Sequence, residues 1–344
     1  MRLGGVFGGG AFLVVFLGSL LGHGPRWAYD PDREEGVHPG VEVEWWYHFG
    51  WLADDAGGEW AWMSSFFRYK DDSLPQSRYL IYDLIDLKTG QSSYRSRLGA
   101  EAIAAFVKAT GISRLPAPHE IIPGEPLEKG GDPLRLTYGK DALERTGDRV
   151  YRLRAGEIDL QLRAISDPLP VEGTGLTGVE RREDMHYYTI PRLDASGTVR
   201  GRKARGLFWY DHQWGRSWIG PKIGWSWWGL QLDDRTAVNA YVLRDITNGR
   251  VLRSILTHDD RPYPMTATPL EWWESKSKIR YPVAWALEAG PLRLRIDAMF
   301  KERELPLLSE TGNLWEGPVR VSGTRSGRGF QELVSYAREQ RTKK

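Results

Sequence analysis

From Trp27 onward the chain is written in short runs that alternate apolar and polar residues, each bounded by Gly, Asp, Asn or Pro. A period of two sends successive side chains to opposite faces, the pattern of an extended strand that buries one of them. Residues 134–138, 150–154, 158–163 and 292–296 all carry it and read as neighbouring barrel or sandwich strands. Turn signals fall between such runs at 54–58, 88–90, 194–197 and 247–249, each ending on glycine, at the separation expected of meandering sheets. One stretch departs from the pattern. At 99–110, Ala100, Ile103, Ala104 and Val107 recur at helical spacing with Gly111 as a stop, which predicts one helix. The expected fold class is therefore all-β, with barrels closing the edges of so many strands.

The chain has 344 residues, enough for two domains or one large β unit. Its 47 Lys and Arg are scattered and balanced by 45 Asp and Glu, which leaves no basic footprint for nucleic acid. Cysteine is absent, so disulfides, thiolate metal sites and a cysteine nucleophile are excluded, and export is permitted. What stands out is 16 Trp beside 15 Tyr and 10 Phe, more indole than a core demands. Large rings with one polar tip suit the walls of an apolar pocket or the girdles between packed strands. Residues 1–24 pair Arg2 with a short apolar centre at 12–17, followed by Gly24-Pro25-Arg26. They read as a secretory signal or an uncleaved N-terminal anchor, placing the protein in the periplasm, outside the cell or on the inner membrane, with peripheral membrane contact allowed. Oligomeric state is not legible.

Five runs in order carry a resemblance. They are His38 with Glu44-Trp45-Trp46-Tyr47, Gly50 and Phe66-Phe67-Arg68; Tyr187-Tyr188-Thr189-Ile190-Pro191-Arg192-Leu193; Trp209-Tyr210-Asp211-His212-Gln213-Trp214-Gly215; Gly224-Trp225-Ser226-Trp227 leading into residues 230–234; and a C-terminal group of residues 281–285, Trp315-Glu316-Gly317 and Gly327-Arg328-Gly329-Phe330-Gln331-Glu332-Leu333. Together they resemble the lipocalin-like family that contains the carotenoid 1,2-hydratases (hydroxyneurosporene synthases) and the AttH-like proteins often labelled secreted hydrolases. The resemblance covers nearly everything after the leader. It implies two lipocalin-like β-barrel domains, expected at 28–216 and 217–344, with a small hydrophobic ligand, an isoprenoid or lipid, within or between them. It does not transfer a reaction, because members of one fold family carry different chemistries.

Two functions fit these residues. An exported carrier would hold the ligand in an aromatic pocket lined by Glu44, Trp45, Trp46, Tyr47, Tyr187, Tyr188, Arg192, Trp209, Trp214, Trp225 and Trp227. The alternative is a hydratase, a hydro-lyase that adds water to an isoprenoid C=C bond without metal or organic cofactor. Its proton donor would be Asp211, kept protonated by poor solvation among tryptophans. His212 would position the water or take its proton. Trp214, Trp227, Tyr187 and Tyr241 would stabilise the carbocation at about 0.5–2 kcal/mol per ring. Strand alternation, however, puts Trp209, Asp211 and Gln213 on one face and Tyr210, His212 and Trp214 on the other, so the two groups need not share a pocket. In the aligned hydratase pattern an acid stands two residues after the tyrosine that corresponds to Tyr241; here Leu243 occupies that place, and Arg244-Asp245 would require a register shift. Glu44 reads as a buried carboxylate paired with Arg68 or Arg192, more strut than catalyst. His38, His48 and His212 show neither metal-site spacing nor a clustered acid, so no metal is expected. Ser64 and Ser65 lack the glycines of a nucleophile elbow.

Overall fold

In the computed structural model of the protein, residues 29–71, 74–100, 103, 119–122, 133–179, 185–216, 222–306 and 314–336 are described. The leader expected at 1–24 lies outside them, as does nearly all of the helix expected at 99–110. The rest is almost entirely strand: one nearly closed barrel sheet and one curled half-barrel sheet, as the alternating runs predict. Among the described residues the first sheet has thirteen strands. At its centre the strand Val43–Asp54 lies between Glu59–Asp71 and Arg202–Gly215, and the last of these pairs in turn with Met185–Val199. The second sheet has ten strands among the described residues and is centred on Ala237–Asp245, Ile223–Leu232, Gly327–Val334 and Leu314–Gly323, in that spatial order. The first sheet's last strand ends at Gly215 and the second sheet's first begins at Ile223.

One turn falls elsewhere than expected. Residues 194–197 run inside the long strand Met185–Val199, and the chain reverses at Arg200 and Gly201, both with positive φ. Gly197 is required for another reason: a Cβ there would sit 2.1 Å from the Asp159 carbonyl oxygen of the neighbouring strand. Close backbone approach and tight turning both select glycine, so composition alone confuses them.

Three apolar clusters divide the interior. One fills the first sheet, including Trp46, Tyr188, Tyr210 and Trp214. A second fills the second sheet around Trp228, Trp285 and Trp315. The third lies between the sheets and holds Tyr47, Phe49, Trp51, Tyr187, Trp209, Trp227, Tyr241 and Phe330. Strands such as Arg202–Gly215 are thus buried on both faces from Phe208 to Trp214, which is why alternation gives way there to an unbroken run of large residues. The high tryptophan count follows from this: a chain that packs two curved sheets against one another needs apolar side chains on the outside of each as well as within.

The seam is held by Phe49 stacked on Phe330 at 5.0 Å, by Trp51 donating to Gln231 Oε1 at 3.2 Å, and by a buried ion pair between Asp83 and Arg303. Gly229 lets the sheets close: a Cβ there would lie 2.8 Å from the Phe49 ring and 2.6 Å from that of Trp227. Gly229→Ala should destabilise the protein by about 1–3 kcal/mol through overpacking of rings that have no room to retreat. Urea unfolding followed by tryptophan fluorescence tests this, and an unchanged midpoint would mean that the seam is looser than drawn.

Candidate functional site

The register separates the sequence-selected residues into two places. Glu44 lies opposite Trp214, Trp46 opposite His212, and Tyr47 opposite Asp211. Alternation then sends Glu44, Trp46, His212 and Trp214 into the first sheet, and Tyr47, Trp209 and Asp211 into the seam.

Inside the first sheet, Glu44 is fully buried and accepts hydrogen bonds from three directions. Arg68 Nη1 donates at 3.2 Å, the His38 backbone N–H at 3.1 Å, and ring nitrogens of His38 and His212 lie at 2.7 and 3.0 Å. Burial alone would raise the Glu44 pKa; hydrogen bonds from His212 and His38 bring it below the usual carboxylate value. His212 lies 4.7 Å from the Trp46 ring in a stacked arrangement, and burial lowers its pKa to about 4. A neutral imidazole donating from Nε2 to Glu44 and facing the Tyr188 hydroxyl with Nδ1, at 3.4 Å, satisfies both nitrogens. His212 is therefore committed to this network and does not reach the seam.

An acid does cluster with histidines here, contrary to the sequence expectation. The ligand atoms of His38, Glu44 and His212 lie within 4.8 Å of one another. The spacing concealed it because His38 arrives from the segment that precedes the strand, and His48 is not part of the group. Two imidazoles and a carboxylate are a donor set that could hold a divalent ion. As arranged, their nitrogens and oxygens are at hydrogen-bond distance, and Arg68 pairs with the same carboxylate. Arg192, the other arginine expected beside Glu44, is elsewhere. A bulge between Ile190 and Leu193 turns it outward, and its guanidinium donates to the Leu232 and Arg235 carbonyl oxygens, tying the two sheets together.

The seam holds the second constellation. Asp211, 2% exposed, accepts from Trp209 Nε1 at 2.8 Å and from the Tyr187 hydroxyl at 3.0 Å. Tyr187 in turn accepts from Trp227 Nε1 at 3.0 Å and Asn239 Nδ2 at 2.8 Å, which aims its own proton at Asp211. Burial lifts the Asp211 carboxyl to about 7, against the lowering effect of these hydrogen bonds. On the facing sheet one row crosses four strands, Tyr241 opposite Trp227, Trp227 opposite Glu332, and Glu332 opposite Glu316. Glu332 accepts from Trp225 Nε1, and burial raises it to about 7. Glu316, 1% exposed, accepts from the Tyr47 hydroxyl at 2.6 Å, and burial together with the Glu332 charge pushes it well above the carboxylate range. Tyr47 and Trp227 meet edge to face at 5.3 Å, so the two acidic groups share one aromatic wall.

Most seam residues are closed off, but Trp45, Ser65 and Phe67 on the first sheet and Trp225, Glu332 and Val334 on the second are half-buried. Among the described residues this is an aromatic rim leading toward Glu332. Behind Asp211 a crevice lined by Val171, Thr189, Trp209, Asn239 and Thr257 is too tight for a water molecule. Tyr241 donates to Glu172, which also pairs with Arg253, so its hydroxyl is engaged at the end of the row. Leu243 faces the seam with Tyr241, whereas Arg244 turns into the second sheet, 4.3 Å over the Tyr336 ring. The register shift that would have exchanged them does not occur on the Ile223–Leu232 side. Sequence reasoning missed Glu316, Glu332 and Asn239 as site residues. The two glutamates stand in runs that carry the resemblance, but only cross-strand pairing shows that they share a face.

A model of the AttH-like family matches residues 28–336 of the chain. No curated protein matches it. Among solved structures, an AttH candidate from Nitrosomonas europaea is 23% identical, covers 91% of this chain and 98% of its own, and superposes with a TM-score of 0.74. Kievitone hydratase from Nectria haematococca is 16% identical over 88% of this chain and 91% of its own, with a TM-score of 0.64. At these identities the two structures establish a shared fold.

Proposed function

The chain belongs to the AttH-like family, and from that premise we propose that its seam binds a small unsaturated apolar molecule and adds water to a C=C bond by acid catalysis, with Asp211 as proton donor. The observation that carries this reading is the placement of Asp211: a carboxyl buried against the Trp209 indole and the Tyr187 phenol, where loss of water favours its protonated form, with Glu332 on the facing sheet. A carrier of apolar ligands has no use for buried acids, which cost stability without helping to bind a hydrocarbon wall. An acid with a pKa near neutrality is what proton transfer to an alkene requires.

In the reaction the Asp211 carboxyl gives its proton to one alkene carbon, and the π pair forms the new C–H bond. Tyr187, fixed by Trp227 and Asn239, holds the resulting carboxylate. The carbocation on the other carbon lies against the faces of Trp209, Trp227 and Tyr47, where ring quadrupoles favour positive charge. Water entering at the half-buried rim bonds to the cation, and the proton it sheds returns to Asp211, directly or by way of Glu332, restoring the starting state. The acid that is lacking at Leu243 is supplied here by Glu332, two strands from Tyr241 in the same row. That a neighbour in fold is named a hydratase agrees with this reading.

The test is incubation of purified protein with a panel of isoprenoid alkenes in heavy-oxygen water, followed by mass spectrometry. The expected result is a tertiary alcohol carrying solvent oxygen. Ligand that binds but returns unchanged across the panel would favour the carrier instead.

A further inference from the structure

Two buried polar atoms in the seam meet no hydrogen-bond partner among the described residues: Glu316 Oε2 and Asn239 Oδ1. Their side chains are 1% and 3% exposed. In each the other polar atom is engaged with a seam tyrosine, Glu316 Oε1 with Tyr47 and Asn239 Nδ2 with Tyr187, so both side chains stand in the wall of the site. Buried polar atoms in native proteins are paired, and an orphan in a binding site marks a position that a ligand or bound water completes. Glu316 is also the cross-strand neighbour of Glu332, the acid at the rim.

We propose that the ligand is an oxygen-bearing alkene, an alcohol rather than a hydrocarbon, whose hydroxyl docks on Glu316. This rests on the reading of the seam as the ligand site. A hydrocarbon would leave Glu316 Oε2 unpaired, whereas a hydroxyl can hydrogen-bond to it. The docking also fixes which C=C bond faces Asp211, so that the oxygen end selects the site of hydration. It narrows the expectation from the family resemblance, an isoprenoid or lipid, to one that carries a hydroxyl.

The probes are farnesol and its deoxy hydrocarbon, identical isoprenoid chains that differ by one oxygen. Binding is read from quenching of the seam tryptophans and by calorimetry. Farnesol should bind at least about 10-fold more tightly than the hydrocarbon, since a site built around a hydrogen bond rejects the analogue lacking it. In the double variant Glu316→Leu with Tyr47→Phe, which removes the polar pair without orphaning the phenol, the preference should vanish or reverse. Glu316→Gln, close in shape, should retain part of it and serves if the double variant does not fold. Equal or tighter binding of the hydrocarbon to the wild-type protein overturns the proposal, as does failure of farnesol to bind. Loss of turnover does not bear on it: preference without hydration refutes the acid mechanism alone, and hydration without preference refutes this proposal alone.

Discussion

Asp211→Asn is expected to lower kcat by about 10³-fold, within the range for loss of a positioned general acid, while ligand affinity changes by no more than about 3-fold, well under 1 kcal/mol. Asparagine keeps the acceptor for Trp209 and the contact with Tyr187, so the pocket's shape survives and only the proton is lost. In the wild type the rate should fall as pH rises through about 7, where the acid ionises. The same group has a stability signature. Its folded pKa lies above the ordinary value of 3.8, so the native state binds the extra proton. Its contribution is fully present below the unfolded pKa and is lost as pH rises through about 7. A shift of that size corresponds to about 4 kcal/mol as an order of magnitude. Asp211→Asn should therefore be no more stable than wild type at low pH and more stable than it at pH values above neutrality, a crossing that chemical denaturation at several pH values would detect. Parallel stability curves would show that Asp211 is ionised throughout, and the acid mechanism would fall with them.

The second large effect is structural. Arg68→Ala or Glu44→Ala should cost about 3–5 kcal/mol, because either leaves a charge buried without its partner. Glu44 is fully buried and Arg68 is 2% exposed, so neither can recover its solvation by moving to water. Removing both charges at once, Glu44→Gln with Arg68→Met, should cost much less than the sum of the singles. Because Glu44 is held below the ordinary carboxylate range, the stability it adds is present above its unfolded pKa and is lost as pH falls through the folded one. His212, lowered to about 4, acts in the same direction, since the unfolded chain takes up its proton first. Thermal melts from neutral pH down to pH 3 check both points. A single substitution that leaves the melting temperature unchanged would mean that the network is a bystander. Chemistry in the seam should be untouched in any variant that folds, because these side chains lie on the opposite face of the shared strands.

That last distinction was legible in part. Alternation along Trp209 to Trp214 already divides Asp211 from His212, since a strand has only two faces, and the structure keeps them apart on those faces. Arg192 was misplaced because a bulge between Ile190 and Leu193 breaks the period just before it, and a bulge has no reliable mark in a single sequence. His38 joined Glu44 through a segment outside the strand, where no periodicity constrains direction. Glu316 and Glu332 stand sixteen positions apart in the chain yet side by side in the sheet.

What the sequence by itself determined is everything that depends on near neighbours in the chain: the strands, most of their turns, the all-β class, and which residues of each strand share a face. Period-two patterning and the conformational limits of glycine act over a few residues, so a few residues suffice to read them. Only the tertiary structure decided which faces meet. The pairing of strands distant in sequence, and the packing of one curled sheet on another, brought Asp211 within hydrogen-bond reach of Tyr187, placed Trp227 on that tyrosine, and set Glu316 beside Glu332 and against Tyr47. It also dried the space around them, and it is that removal of water which turns ordinary carboxyls into acids that hold their protons near neutrality.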